Sequence, residues 1–133
     1  MNTSQQLAKN FHDVYHGGNW TAVDIKKVLE DISWQQAVTP VHSFNTIAAL
    51  VYHMNYYVKA VIGVLEGAPL SASDKFSFDY PPVKSQEDWE NLLHTVEQDA
   101  LVFEDLVAKL PEEKLQEDFW NNQYGNYFRN IMG

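Results

Sequence analysis

The sequence predicts one all-α domain spanning residues 1–133, an up-down-down-up bundle of four helices in which the fourth helix is cut short. Three observations predict this class. Three long stretches repeat apolar residues at the spacing of a helix face. A connection of about 18 residues separates the second stretch from the third, much longer than the usual bundle loop. A fourth helical pattern starts near the C-terminus and stops after about two turns.

The first helix begins at Thr3, whose spacing to Gln6 matches a capping box, and ends at the pair Gly17–Gly18. One apolar stripe follows its length, formed by Leu7, Phe11, Val14 and Tyr15. The segment after it is predicted to hold a shorter helix, a turn over Ser33–Val38 and a stop at Pro40. The apolar residues of that shorter helix are Ile25, Val28, Leu29 and Ile32.

The second helix is predicted to start near Ser43 or Asn45 and to run to Glu66, before the stop signals Gly67 and Pro69. Its apolar positions cover about half of the helix circumference, which indicates packing on two sides. A narrow strip is expected to face water, consisting of Asn55, Lys59 and Glu66.

The third helix starts at Ser85, which forms a capping pattern with Asp88, and ends at Pro111. Eight apolar residues keep one face of it, namely Trp89, Leu92, Leu93, Val96, Ala100, Phe103, Val107 and Leu110. The connection Gly67–Lys84 is long enough to cross the bundle, so the second and third helices should be parallel. Asn126–Gly133 restarts a helical pattern. Trp20, Trp89 and Tyr80 are interpreted as packing residues.

Composition excludes several functions. The chain has 9 basic and 18 acidic residues, a net charge of −9, which disfavours nucleic acid and anionic membrane as partners. It has no cysteine, so disulfides, thiolate metal sites and a cysteine nucleophile are absent. We see no signal peptide, and polar residues interrupt the apolar stretch Ile47–Leu65. We expect a cytoplasmic protein.

Five histidines are the candidate chemical residues. His12 and His16 stand at i, i+4, a spacing that can hold a metal. Their wheel positions, about 100° and 140° from the centre of the apolar stripe, predict that both face water. His94 is likewise predicted to be exposed, and His42 lies in a loop. Glu97 and Asp99 border the core face of the third helix, where carboxylates are usually solvated.

His53 differs because it lies in the middle of the most apolar helix, on its apolar arc. Small and hydroxylated residues flank it at helical spacing, namely Thr46, Ala49, Tyr57 and Ala60. Two interpretations remain open. His53 is a core histidine hydrogen-bonded to another helix, or it is a ligand or acid–base group facing a pocket.

Three segments carry a resemblance to a known family. Phe11–Thr21 (FHDVYHGGNWT) and Thr46–Tyr57 (TIAALVYHMNYY) resemble the first two helices of DinB-like (YfiT-like) proteins, and Gly125–Gly133 resembles the approach to their last helix. The resemblance implies a four-helix bundle with a divalent metal, nickel or zinc, bound by three histidines. It also implies thiol-dependent transfer or isomerisation chemistry, such as that of bacillithiol- and mycothiol-linked enzymes.

The resemblance assigns the first of the three metal ligands to His53. The other two form an HxxxH motif on the fourth helix, and the sequence ends at Gly133, before that motif is expected. One histidine does not make a stable site, so we expect metal binding to be weak or absent in this chain. The residues that would carry catalysis stay unknown, and no cofactor-binding residues besides the metal ligand are predicted.

Two functions therefore stay open. The chain is a metal-dependent transferase or hydrolase-like enzyme acting on a small thiol or related substrate, or it is a non-catalytic helical binding domain. We also expect a homodimer, because an incomplete fourth helix leaves an apolar groove to be covered. The alternative is that the segment 124–133 folds back and fills the groove within one chain.

Overall fold

The computed structural model describes all residues from 1 to 133 and confirms the all-α class. It has six α-helices and no β-strand: α1 (Thr3–His16), α2 (Ile25–Glu30), α3 (Trp34–Ala37), α4 (Ile47–Leu65), α5 (Gln86–Lys109) and α6 (Tyr127–Met132). Short 3-10 helices cover Asp74–Phe76 and Glu112–Gln116. The second and third predicted helices are α4 and α5.

The helices begin at capping residues close to those predicted. Ser85 caps α5 by accepting a hydrogen bond from the backbone N–H of Asp88, as the sequence predicts. At α1 the predicted Thr3–Gln6 box is wrong, because the reciprocal pair is Asn2 with Gln5. Thr3 instead donates from its backbone N–H to Glu112 (3.0 Å) and from its hydroxyl to the same carboxylate oxygen.

The start of α4 also needs a correction. Its cap is Thr46, which accepts from the N–H of Ala49, and not Ser43 or Asn45. The segment Ser33–Val38, predicted as a turn, contains the one-turn helix α3, which begins with a capping box between Ser33 and Gln36. Both differences concern polar residues within a few positions of each other, any of which can cap a helix.

The helix α5 is the centre of the packing, because α1 and α4 both lie against it and scarcely touch each other. Tyr15, near the end of α1, and Val51, near the start of α4, share a buried cluster with Trp89 at the start of α5. Leu7, near the start of α1, packs with Phe103 in the later part of α5. Helix α1 is therefore antiparallel to α5, and α4 is parallel to it.

The region between α1 and α4 covers the end of the bundle at which α5 begins. Trp89 is fully buried there, and its indole N–H donates to the backbone carbonyl of Ile32 (2.9 Å). The interpretation of Trp20 as a packing residue is wrong, because Trp20 is 96% exposed. It lies in a tight loop that Gly17 and Gly18 begin with φ of 99° and 106°.

The C-terminal segment folds back on the bundle. Tyr127 of α6 is buried and packs edge-on against Phe119, in a cluster that includes Val64 of α4. Ile131, Met132 and Gly133 then reach one end of the space between α1 and α4.

Helix α4 is the one helix that is long and apolar enough to cross a membrane by length and composition. A core helix of a soluble protein meets the same criterion. Asn55, in the middle of α4, is hydrogen-bonded to Asp99 of α5, a contact made inside the bundle. The cytoplasmic localisation stays a prediction.

Candidate functional site

An open groove separates α1 from α4 on the side of the bundle away from α5. It consists of two adjoining depressions of about 450 and about 370 Å³, which share Val14, Ile25 and Met54. We call it the α1–α4 groove and define it by Leu7, Phe11, Val14, Ile25, Leu50, His53, Met54, Tyr57, Val58 and Val61. Its walls are mostly apolar, and only one end is covered by α6.

His53 lies in this groove, half-buried, midway along α4. Its ring stacks on Phe78 of the α4–α5 connection, with centroids 4.1 Å apart and planes 7° apart. The Tyr57 ring meets it edge-on at 5.2 Å. The Nδ1 atom of His53 is buried and has no hydrogen-bond partner. The structure thus places His53 at a pocket, and it does not make the hydrogen bond to another helix that the first interpretation required.

The groove does not supply a metal shell around His53. No aspartate, glutamate or second histidine lines the depression that contains His53. Its other polar side chains are the amides of Asn10 and Asn130 and the phenols of Tyr15 and Tyr57. The Tyr57 hydroxyl already donates to the carboxylate of Asp74. A zinc or nickel site needs three or more good ligands, so the residues present do not fit the metal that the resemblance implies.

A different set of metal-binding side chains meets on the other flank of α1. His12, His16 and Glu104 offer ligand atoms that all lie within 4.8 Å of one another. His12 Nδ1 is 2.9 Å from Glu104 Oε2, and the two side chains are 43% and 30% exposed. The His16 ring makes no hydrogen bond, and its Nε2 atom is buried. These three residues could hold a metal ion.

The prediction that His12 and His16 face water is therefore only partly correct. His12 is partly exposed, but it contacts Glu104 on the neighbouring helix, and His16 is half-buried. His94 and His42 are exposed, as predicted for His94. Sequence reasoning missed Glu104, which follows His12 by 92 positions and is one of many glutamates on the surface of α5.

Asn55 needs a second correction. It was expected to face water, but it is 4% exposed, and its Nδ2 donates to Asp99 Oδ2 over 2.7 Å. The Lys59 ammonium lies 3.7 Å from the same oxygen. This group forms a polar contact between α4 and α5, and the Asn55 Oδ1 atom beside it is buried without a partner.

One tyrosine beside the candidate site has a shifted pKa. Burial raises the pKa of the Tyr15 phenol, which sits next to His16 and lines the α1–α4 groove. A neutral phenol with a raised pKa does not act as a base near neutral pH. Tyr15 is therefore a packing residue, consistent with its stacking on Phe11 at 4.3 Å.

Comparison of the chain with protein-family models, with curated proteins and with solved structures finds no match.

Proposed function

We propose that this chain is a DinB-like helical-bundle protein of the divalent-metal-dependent transferase or hydrolase-like class, in which His53 is one metal ligand in the α1–α4 groove. The observation that carries the proposal is the His53 ring itself. It is held by Phe78 and Tyr57 midway along α4, and it has a buried, unpartnered Nδ1. An imidazole fixed in this way is suited to serve as a ligand.

The helix directions support the same proposal. In an up-down-down-up bundle a fourth long helix lies between the first and second, and the α1–α4 groove is an open, apolar space in that position. The resemblance puts an HxxxH pair on that fourth helix. A helix lying in the groove would pass His53, so its histidines would add to the one ligand present.

The metal is proposed as nickel or zinc because imidazole ligands suit both ions. His53 alone does not hold the ion, because a stable site needs three or more ligands. A divalent metal held by His53 and two further histidines would supply Lewis-acid chemistry toward a water or thiol. The depression of about 450 Å³ that contains His53 has the size of a site for a small molecule such as a thiol substrate.

The second candidate function is a non-catalytic binding domain that uses the same groove. Its support is the shortage of ligands, since the groove offers one histidine and otherwise an apolar surface. Such a surface favours an apolar partner by the hydrophobic effect.

The coding sequence after codon 133, followed by metal analysis, distinguishes the two functions. If it encodes an HxxxH segment, we expect the extended protein, carrying His16→Ala so that the His12, His16 and Glu104 group cannot hold an ion, to purify with near-stoichiometric nickel or zinc that a further His53→Ala change removes. A matched His94→Ala variant, which changes an exposed histidine of α5, should keep the metal. A stop codon directly after Gly133 in the native gene would support the binding domain, and metal that survives His53→Ala in the extended His16→Ala protein would contradict the enzyme proposal.

A further inference from the structure

We infer that His12, His16 and Glu104 form a second divalent-metal site, which ties α1 to α5 and is independent of His53. The inference goes beyond the proposed function and does not rest on it. The three residues come from two helices, and their ligand atoms lie within 4.8 Å of one another. His53 lines the groove on the opposite flank of α1 and is not a member of this group.

The separation of the ligand atoms suits a tetrahedral ion. Bonds of about 2.0–2.1 Å place the ligand atoms of such an ion roughly 3.3 Å apart. The His12–Glu104 contact of 2.9 Å is slightly shorter than this, and the remaining pairs lie within 4.8 Å. Small rotations of the partly exposed side chains close the difference. The backbones of α1 and α5 are already packed together.

The hydrogen-bonding state of the rings provides independent support. The His16 ring has no hydrogen-bond partner, and its buried Nε2 is cut off from water. Such a group lacks compensation for its lost hydration. His12 has one partner, Glu104, which is itself in the ligand set. Neither imidazole would have to break a hydrogen bond to a residue outside the site in order to bind a metal.

The charges near the site also permit a cation. Lys9 lies on the same surface as His12 and Glu104, but its ammonium is paired with Asp13 one turn along α1. The whole chain carries a net charge of −9, which attracts cations. Two imidazoles and one carboxylate select zinc, nickel, cobalt or copper over magnesium and calcium, which prefer oxygen ligands. Three protein ligands leave a fourth position for water.

Titration of the metal-free 133-residue protein with Zn²⁺, and separately with Co²⁺ as a spectroscopic probe, tests the inference. We expect one equivalent of each metal to bind, with visible absorption bands from the bound Co²⁺ and a raised melting temperature. His16→Ala, His12→Ala and Glu104→Gln should each weaken binding at least about tenfold, because loss of an outer-shell partner alone costs that much. His94→Ala and His53→Ala should bind like the unchanged protein.

Glu104→Gln keeps the side-chain size and so protects the test if an alanine variant fails to fold, and circular dichroism checks each variant. Failure of the unchanged protein to bind Zn²⁺ would overturn the inference, leaving His12–Glu104 as a simple hydrogen bond. Equal loss of binding in His94→Ala would also overturn it, as would loss in His53→Ala with binding retained in His16→Ala. Because the ligands under test are His12, His16 and Glu104 and not His53, failure of the inference leaves the DinB-like proposal standing.

Discussion

Asn55 joins the middle of α4 to the middle of α5 through one hydrogen bond to Asp99. The acceptor is a carboxylate, and hydrogen bonds to charged groups are worth about 1.5–3 kcal/mol. The geometry requires a donor at position 55, because the Asp99 oxygen is only 2.7 Å from the amide nitrogen. The contact therefore fixes the register of two parallel helices whose other contacts are mainly apolar.

Replacing Asn55 with aspartate should destabilise the protein at neutral pH by about 3 kcal/mol or more, since it removes the hydrogen bond and opposes two carboxylates in a partly buried place. The deficit relative to the unchanged protein should shrink as pH falls through the carboxyl range, because one of the two acids then keeps a proton and donates it to the other. Urea unfolding at several pH values measures this.

Lys59→Met is the matched control for Asn55. Its ammonium lies 3.7 Å from the same Asp99 oxygen but is mostly exposed, so the loss should stay below about 1 kcal/mol. An Asn55→Asp deficit that is small, or that does not change with pH, would contradict the assigned contact.

We expect the protein to lose stability at alkaline pH because of the buried phenol of Tyr15. Burial raises its phenol pKa, whereas the unfolded phenol titrates near its ordinary value of about 10. Above that pH the unfolded state holds fewer protons than the folded state, so the free energy of unfolding falls as pH rises. The contribution of the neutral Tyr15 phenol to the free energy of unfolding is fully present below about pH 10. It is lost as pH rises from there through the raised pKa of the folded state.

A Tyr15→Phe variant should lose this part of the alkaline destabilisation, which denaturant unfolding between about pH 9 and 11 will measure. The control is Tyr124→Phe, at a tyrosine that is 42% exposed, which should leave the alkaline destabilisation unchanged. The same pH dependence in Tyr15→Phe and in the unchanged protein would show that Tyr15 is not responsible.

Single residues were also where sequence reasoning was least reliable. The helical-wheel prediction for α1 took the apolar stripe that includes Val14 as the packed face of the helix. Val14 is in fact 42% exposed and faces the α1–α4 groove. The face of α1 that packs on α5 is therefore turned toward the His12 side, which brings His12 and His16 closer to α5 than predicted. Periodicity finds apolar residues, but it does not tell a packed apolar face from an open one.

At the scale of the helices, periodicity predicted most of the structure. The long helices α4 and α5 carry apolar residues over many turns, and the observed ends differ from the predicted ones by a few residues at most. Caps were harder, as Asn2 and Thr46 show, because neighbouring polar residues offer the same hydrogen bond. Asn55 was missed because one polar residue within a polar strip looks solvated until a carboxylate of the next helix is known to face it.

The N-cap of α5 gives a prediction for a whole helix. Ser85 accepts the hydrogen bond from Asp88 N–H, so Ser85→Ala should cost about 1 kcal/mol of unfolding free energy. Thermal or urea unfolding checks the value. Ser71→Ala, at an exposed serine of the α4–α5 connection that caps no helix, should change stability by less than about 0.5 kcal/mol. Equal effects of the two substitutions would show that the cap does not stabilise α5.

At the scale of the whole molecule, the α1–α4 groove is the main place where apolar side chains stay exposed together. Leu50, Met54 and Val14 are between 38% and 46% exposed along it, and they adjoin one another across α1 and α4. The segment 124–133 does fold back, as the monomer alternative supposed, but its last residues reach only the depression that contains His53. The other depression, of about 370 Å³ between α2 and α4, stays open.

We propose that a second copy of the chain covers this surface, as a two-fold dimer in which the groove of each copy packs on the other. A stable interface buries about 800 Å² per partner, and contiguous exposed apolar patches of several hundred Å² usually mark such contacts. The depression between α2 and α4 contains one charged residue, Asp24. The net charge of −9 therefore lies mainly elsewhere on the surface and opposes association only at a distance.

Sedimentation equilibrium at micromolar concentration should then show self-association that tightens when salt screens the repulsion between the two chains. Leu50→Glu should yield a monomer, because it places a charge on the groove. Leu101→Glu, at a leucine of α5 that is 44% exposed against 46% for Leu50 and lies outside the groove, should associate like the unchanged protein. A single 15.3 kDa species at all concentrations, with a cooperative melt and no binding of a hydrophobic dye, would show instead that the fold-back of α6 covers enough of the groove for the chain to be stable alone.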